Sequence, residues 1–460
     1  MVANANVLPR RNSMRNFMMI WLMLTIIAGA ATFAGIYMAT GSIGSGGNED
    51  AVAVIEPNDE DRQEVAQQVT ATSVPLIGAP GGAANEPTAA PAGSGDSGAV
   101  TPLIGAPGGS NAQAATPVPT SSTPAATPTI VPTINPPLVS GTLPGIDDFI
   151  LGAHILGDFG ERMLTATKVA KMDWVKIQLR YERGVTNPDD FGWQVQLLNS
   201  NSLGVLFGVV GHPQDLLEPG YNADYAAFVG ALAARGANGI EVWNEINLDR
   251  EWPVGRIDPR MYTELLKVSY EAIKAANPNT MVISAGLAPT GAEGALGLDH
   301  VWNDDRYYRG LAEAGAAEYM DCIGNHYNEG IIPPTQTSGD PRANDYPTRY
   351  LQAQTERAYK PFADRGTPIP VCYTELGYLT SDGYGSLPAD FNWAADVSLA
   401  EQAAWLGTAA LVNAQSGKVR MMIIWNLDFT EYSSDPKAGY AIIRPGDACP
   451  ACDTLGSLRP

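Results

Sequence analysis

Cations are scarce in this 460-residue chain: 28 lysines and arginines stand against 49 aspartates and glutamates, a formal net charge of −21. That imbalance disfavours nucleic acid and anionic surfaces as partners, while a neutral polymer is compatible with it. Histidines number four and cysteines four. There is no His-Glu-x-x-His and no cluster of four close ligands, so no metal or cofactor is expected. Cys322 and Cys372 sit inside strand-like runs and read as small core residues. Cys449-Pro450-Ala451-Cys452 lacks the strand and helix of a redox motif and reads as a small disulfide ring, at home outside the cytoplasm.

Charge is missing altogether from Phe17 to Met38, a run long enough to span a bilayer. Arg10, Arg11 and Arg15 precede it while Glu49 and Asp50 follow, so residues 1–16 are expected in the cytoplasm and the rest outside. The expectation is a single-pass signal-anchor over 17–39, with the lipid bilayer as partner. A signal peptide cleaved after Ala30, leaving a secreted protein, is the alternative. Residues 40–144 are rich in Pro, Ala, Thr and Gly and carry few aromatics, a composition expected to remain a disordered linker. Pro75–Gly82 recurs as Pro102–Gly109. Two copies are too few for a solenoid, and with no flanking strand or Gly-Lys-Ser/Thr they form no phosphate loop.

From 145 to 460 the texture changes to apolar runs alternating with helical patterns, the mark of parallel α/β units. Strands are expected at Phe149–His154, Trp174–Arg180, Gly204–Gly211, Gly239–Glu245, Thr280–Ala285, Asp321–Tyr327, Ile369–Glu375 and Met421–Trp425, with a helix over Pro259–Ala276. Eight strands in about three hundred residues fit one (β/α)8 TIM barrel. A doubly wound open sheet is the alternative. Alternation sends Lys176 and Arg180 of the second strand, and Glu241, Trp243 and Glu245 of the fourth, into the barrel. Lys176 and Glu241 should therefore meet one layer below Arg180 and Glu245.

Two of the strand-like runs close on a carboxylate: Trp243-Asn244-Glu245 and, about 130 residues later, Thr374-Glu375-Leu376. Paired strand-end carboxylates suggest acid–base and nucleophilic work. With these motifs, the stretch from about Ile146 to Ile443 resembles the retaining glycoside hydrolases of the large (β/α)8 clan that includes cellulases, β-xylosidases and β-mannanases. The resemblance implies a carbohydrate substrate, Glu245 as acid/base after Asn244, and Glu375 as nucleophile. It further implies that Arg180 holds the nucleophile ionised and that His212, and His326 or Tyr327, bind the sugar or the nucleophile. Trp425 would floor the subsite of the sugar being cleaved. His326 and Tyr327 are adjacent where the clan separates them by one residue, so which of the two faces inward stays open.

Long loops after the fourth to seventh strands carry Trp252, Trp302, Tyr307, Tyr308, Tyr346, Tyr378, Tyr384 and Trp393, which either stack on sugar faces or pack the loops. The expected function is a membrane-tethered extracytoplasmic glycosidase; hydrolysis and transglycosylation would use the same residues. A carbohydrate-binding protein on a retired barrel is the reading from another class.

Overall fold

The computed structural model describes residues 141–156, 159–429, 432 and 436–460. The expected anchor and nearly all of the expected linker lie outside the described residues. Among those described, no helix is long and apolar enough to cross a membrane.

Eight strands form one parallel sheet: β1 (Ile150–Ile155), β2 (Trp174–Arg180), β3 (Gly204–Val210), β4 (Gly239–Val242), β5 (Met281–Ser284), β6 (Ile323–Tyr327), β7 (Val371–Leu376) and β8 (Val419–Ile424). They run in the order β5-β4-β3-β2-β1-β8-β7-β6. Parallel bridges Ile283 to Cys322 and Leu287 to Asn325 join the two edges and close the barrel. Helices α1 (Glu161–Val169), α2 (Gly192–Ser200), α3 (Tyr221–Ala234), α4 (Pro259–Ala276), α5 (Asp304–Glu313), α6 (Leu351–Ala363), α7 (Leu399–Gln415) and α8 (Pro450–Ser457) follow the strands in turn. The start of α4 is written locally: Asp258 accepts from the Arg260 amide as N-cap and Pro259 takes the first turn. Its apolar stripe, including Tyr262, Leu265, Leu266 and Ile273, is buried.

The period of two sorts each strand between helices and interior. Val175, Ile177 and Leu179 join the outer core with the helices, whereas Ile150, Trp174, Leu206, Ile283, Met421 and Ile423 form a separate cluster on the barrel floor. Trp174 fits because Gly204 and Gly239 leave it room: a Cβ at either would come within 2.5 or 2.7 Å of the indole. The floor corrects the reading of two cysteines. Cys322 and Cys372 are buried there, but as a disulfide linking the start of β6 to β7. They are small core residues that are also cross-linked, because adjacent parallel strands bring them within 5.8 Å between Cα atoms. Cys449 and Cys452 form the expected small ring at the start of α8.

The folded unit also begins slightly before 145. Leu143 is buried and its amide donates to Leu458 O at 2.7 Å, so α8 recruits the last residues of the expected linker.

Candidate active site

The carboxyl ends of β4 and β7 carry the two glutamates, and in each case an irregularity aims the side chain. β4 stops at Val242 because Trp243 adopts a left-handed backbone (φ +73). This turns its indole outward, against Tyr221 and Tyr225 of α3 and Trp252, with Nε1 donating to Glu251 O at 2.6 Å. Trp243 therefore does not share the inner face with Glu241 and Glu245, as alternation would require. A second left-handed residue, Glu245 itself (φ +40), returns its side chain to the mouth, and its amide is tied to Gly286 O at 2.9 Å. Left-handed non-glycine residues are uncommon, and here two fall within three positions at the end of β4.

On β7 the register slips between Tyr373 and Leu376. Tyr373 bonds outward to Thr355 of α6 at 2.7 Å, while Thr374 and Glu375 both turn inward. One oxygen from each of Glu245 and Glu375, and a nitrogen of His326, lie within 4.8 Å of one another. His326 Nδ1 is 3.1 Å from Glu245 Oε1 and 3.8 Å from Glu375 Oε2. Both carboxylates already have cationic partners. Arg250 pairs with Glu245, and the Lys176 ammonium lies 3.6 Å from Glu375 Oε1, so this trio is not read as a metal centre.

Beneath the glutamates lies a buried charged layer. Lys176 Nζ meets Glu241 Oε2 at 2.7 Å, as the alternation of β2 and β4 predicts, and donates to Thr374 O at 3.3 Å. Gly208 makes this possible, since a Cβ there would stand 3.1 Å from Lys176 Cε and 3.2 Å from Glu241 Oε2. Burial would raise the Glu241 carboxyl, but Lys176 and then His326 outweigh it and bring it down to about 2. His154, from β1, lies 3.9 Å from Glu375 Oε1. Burial first, and Lys176 second, hold its imidazole well below its ordinary range.

The other residues singled out in the sequence fall into three groups. Asn244, Trp425 and Arg180 line the same cleft of about 410 Å³ as the two glutamates. Arg180, however, donates to Gly211 O at 2.7 Å; as the last residue of its strand it leans across to the end of β3. The cation against Glu375 is instead Lys176, one layer down. His326 faces the carboxylates, whereas Tyr327 points out of the barrel and donates to Arg349 O at 2.9 Å, the arrangement that adjacent strand residues dictate. His212 does not join them. It is exposed at the end of β3 and faces Glu182 at 3.8 Å, because the chain turns into a 3₁₀ segment at Pro213.

His154, Arg250, Glu251, Asn328 and Tyr440 line the cleft and were not singled out by sequence. The inward period of β1, with Ile150 and Gly152 below it, would have found His154. Nothing local marks the others. Glu251 carries a carboxyl raised by burial and, beyond that, by Glu375, although Arg250, Arg180 and Asn244 oppose the shift. Of the aromatics expected on the loops, Tyr307 and Tyr308 lie instead on the buried face of α5, and Trp252 and Tyr378 are wholly buried as well. The aromatics facing the cleft are Phe391, Trp425, Phe429 and Tyr440. Trp425 precedes a cis peptide to Asn426 and meets Tyr440 edge-on at 5.0 Å.

No protein-family model and no curated protein matches the chain. Among solved structures it is similar to an endoglucanase from the hyperthermophilic Thermotoga maritima, with 13% identity over 66% of this chain and 96% of that one and a TM-score of 0.40. It is also similar to a fungal β-1,4-galactanase, with 13% identity, 66% and 93% covered, and a TM-score of 0.46. A third is a GH113 β-1,4-mannanase, with 13% identity, 69% and 99% covered, and a TM-score of 0.41. Likeness this distant carries no argument about activity, and the chemistry rests on this chain's own side chains.

Proposed function

We propose that the chain is a retaining glycoside hydrolase acting on a neutral poly- or oligosaccharide. The observation that carries this reading is the pair of carboxylates, one just past the end of β4 and one in β7, that line one cleft with oxygens within 4.8 Å. Oxygens this close support direct attack on the sugar, whereas inverting pairs stand about 6.5–9.5 Å apart to leave room for a water. In the first step Glu375 attacks the anomeric carbon, the glycosidic C–O bond breaks, and Glu245 gives its proton to the departing oxygen. In the second, Glu245 takes a proton from water, which displaces Glu375 from the sugar. His326, hydrogen-bonded to Glu245, keeps that carboxyl over the cleft through both steps. Trp425, Phe391 and Tyr440 offer apolar faces to the C–H surfaces of a pyranose.

We also propose that the enzyme works outside the cytoplasm, tethered by its N-terminal apolar run. Both cysteine pairs are disulfides, with no free cysteine, as in proteins of oxidising compartments.

Azide rescue tests the roles. Glu375→Ala should abolish turnover, and azide should restore it with inverted product. Glu245→Ala should lose about 10²–10⁴-fold on natural glycosides, little on substrates with good leaving groups, and be rescued with retained product. Exchanged stereochemistry would swap the roles, and full activity in both variants would overturn the hydrolase reading.

A further inference from the structure

We infer that Lys176, buried beneath the cleft, is the positioning residue that holds Glu375 as an aligned carboxylate, in place of the arginine at the mouth. The inference rests on the glycosidase reading above and goes beyond it by naming the group that supports the nucleophile.

The geometry is that of one ammonium shared between two carboxylates and a carbonyl. Lys176 Nζ lies 2.7 Å from Glu241 Oε2, 3.6 Å from Glu375 Oε1 and 3.3 Å from Thr374 O, and the side chain is fully buried. Thr374 is the residue brought inward by the β7 register slip, so Lys176 grips both the backbone that aims Glu375 and the carboxylate itself. Glu241 is in turn fastened by the Gly286 amide at 3.1 Å, with His326 Nε2 3.9 Å away. The ammonium therefore cannot swing away without leaving buried charge unpaired.

The other charged groups around Glu375 are placed differently. From β1 comes His154, which burial keeps neutral. From β6 comes His326 at 3.8 Å, hydrogen-bonded to Glu245. From the end of β4 and its loop come Glu245, Arg250 and Glu251, with Arg250 paired to Glu245. Arg180 reaches Gly211 O, and Lys437, after β8, lies 5.9 Å from the Phe429 ring. Lys176 is thus the ammonium that faces Glu375 from beneath, fixed there by Glu241 and Thr374 O.

The test compares Lys176→Gln/Glu241→Gln, which removes the buried pair together, with Arg180→Ala. For an aryl glycoside with a good leaving group, the double variant should lose kcat at least tenfold with KM little changed. Arg180→Ala should cost kcat less than the double variant does. Gly208→Ala, which presses on the pair without removing charge, should lower kcat in the same direction by less. An unchanged kcat in a folded double variant, or a kcat loss seen with Arg180→Ala instead, overturns the inference. A double-mutant cycle of Lys176→Gln with Glu375→Gln on unfolding stability decides it without catalysis: non-additivity supports the shared charge and additivity refutes it. Labelling of wild-type Glu375 by a 2-deoxy-2-fluoro glycoside separates the two levels, since its failure strikes the glycosidase reading alone.

Discussion

At the scale of single residues, the site is a stack of ionisable groups whose burial sets what each can do. Glu245 and Glu375 were legible because a carboxylate that closes a β-branched run is written in local order. Arg180 was legible as a cleft residue but not in its partner. The direction of a strand's last side chain depends on the neighbouring strand end, here Gly211. His154 makes the firmest residue-level prediction. Its imidazole is held well below the ordinary histidine value of about 6.5, chiefly through burial. The folded protein therefore binds fewer protons than the unfolded chain once the pH drops below about 6.5, and stability falls with falling pH through that window. Glu241, brought down to about 2 from 4.5, adds a loss of the same sign only below about pH 4.5. Denaturant unfolding at pH 7 and pH 5.5 should thus show wild type losing about 1 kcal/mol more than His154→Gln over this interval. An equal loss in both would show that His154 is protonated in the fold.

At the scale of elements, two devices re-aim what alternation alone would place wrongly. The left-handed Trp243 shortens β4, and the slip in β7 gives Thr374 and Glu375 the same face. Below that slip, the disulfide between Cys322 and Cys372 clamps β6 to β7 across a separation of 50 residues. Closing a loop of that length stabilises a fold by about 4 kcal/mol through the unfolded chain's entropy. Replacing both cysteines by Ala should lower the unfolding free energy by up to that amount. Activity on aryl glycosides at room temperature should survive, because the β6–β7 ladder and Lys176 still hold Glu375. A stability unchanged within about 0.5 kcal/mol would show that the pair is not bonded. The pairing escaped the sequence reading because strands six and seven touch only once the barrel is closed.

At the scale of the whole molecule, the proposed tethering turns on the uncharged run from Phe17 to Met38. We expect the full chain to fractionate with membranes, and protease added to intact cells to release a soluble, active piece. Mature protein beginning near Ala31 would instead show cleavage after Ala30 and a secreted enzyme. Barrel closure at this scale also sorts the aromatics: Trp252, Tyr307, Tyr308 and Tyr378 are buried, while Phe391, Trp425, Phe429 and Tyr440 line the cleft.

The sequence by itself determined the order of strands and helices, the two strand-end glutamates and the Lys176–Glu241 layer, because a period of two or 3.6 and a run's last residue are properties of neighbours in the chain. Only the tertiary structure decided that Trp243 faces α3, that His326 rather than Tyr327 meets the carboxylates, and that Lys176 rather than Arg180 lies against Glu375. Those outcomes turn on left-handed residues, register slips and contacts between strands as far as 199 positions apart, as in Lys176 and Glu375. No local pattern encodes them, since each is fixed by what the closed barrel leaves room for.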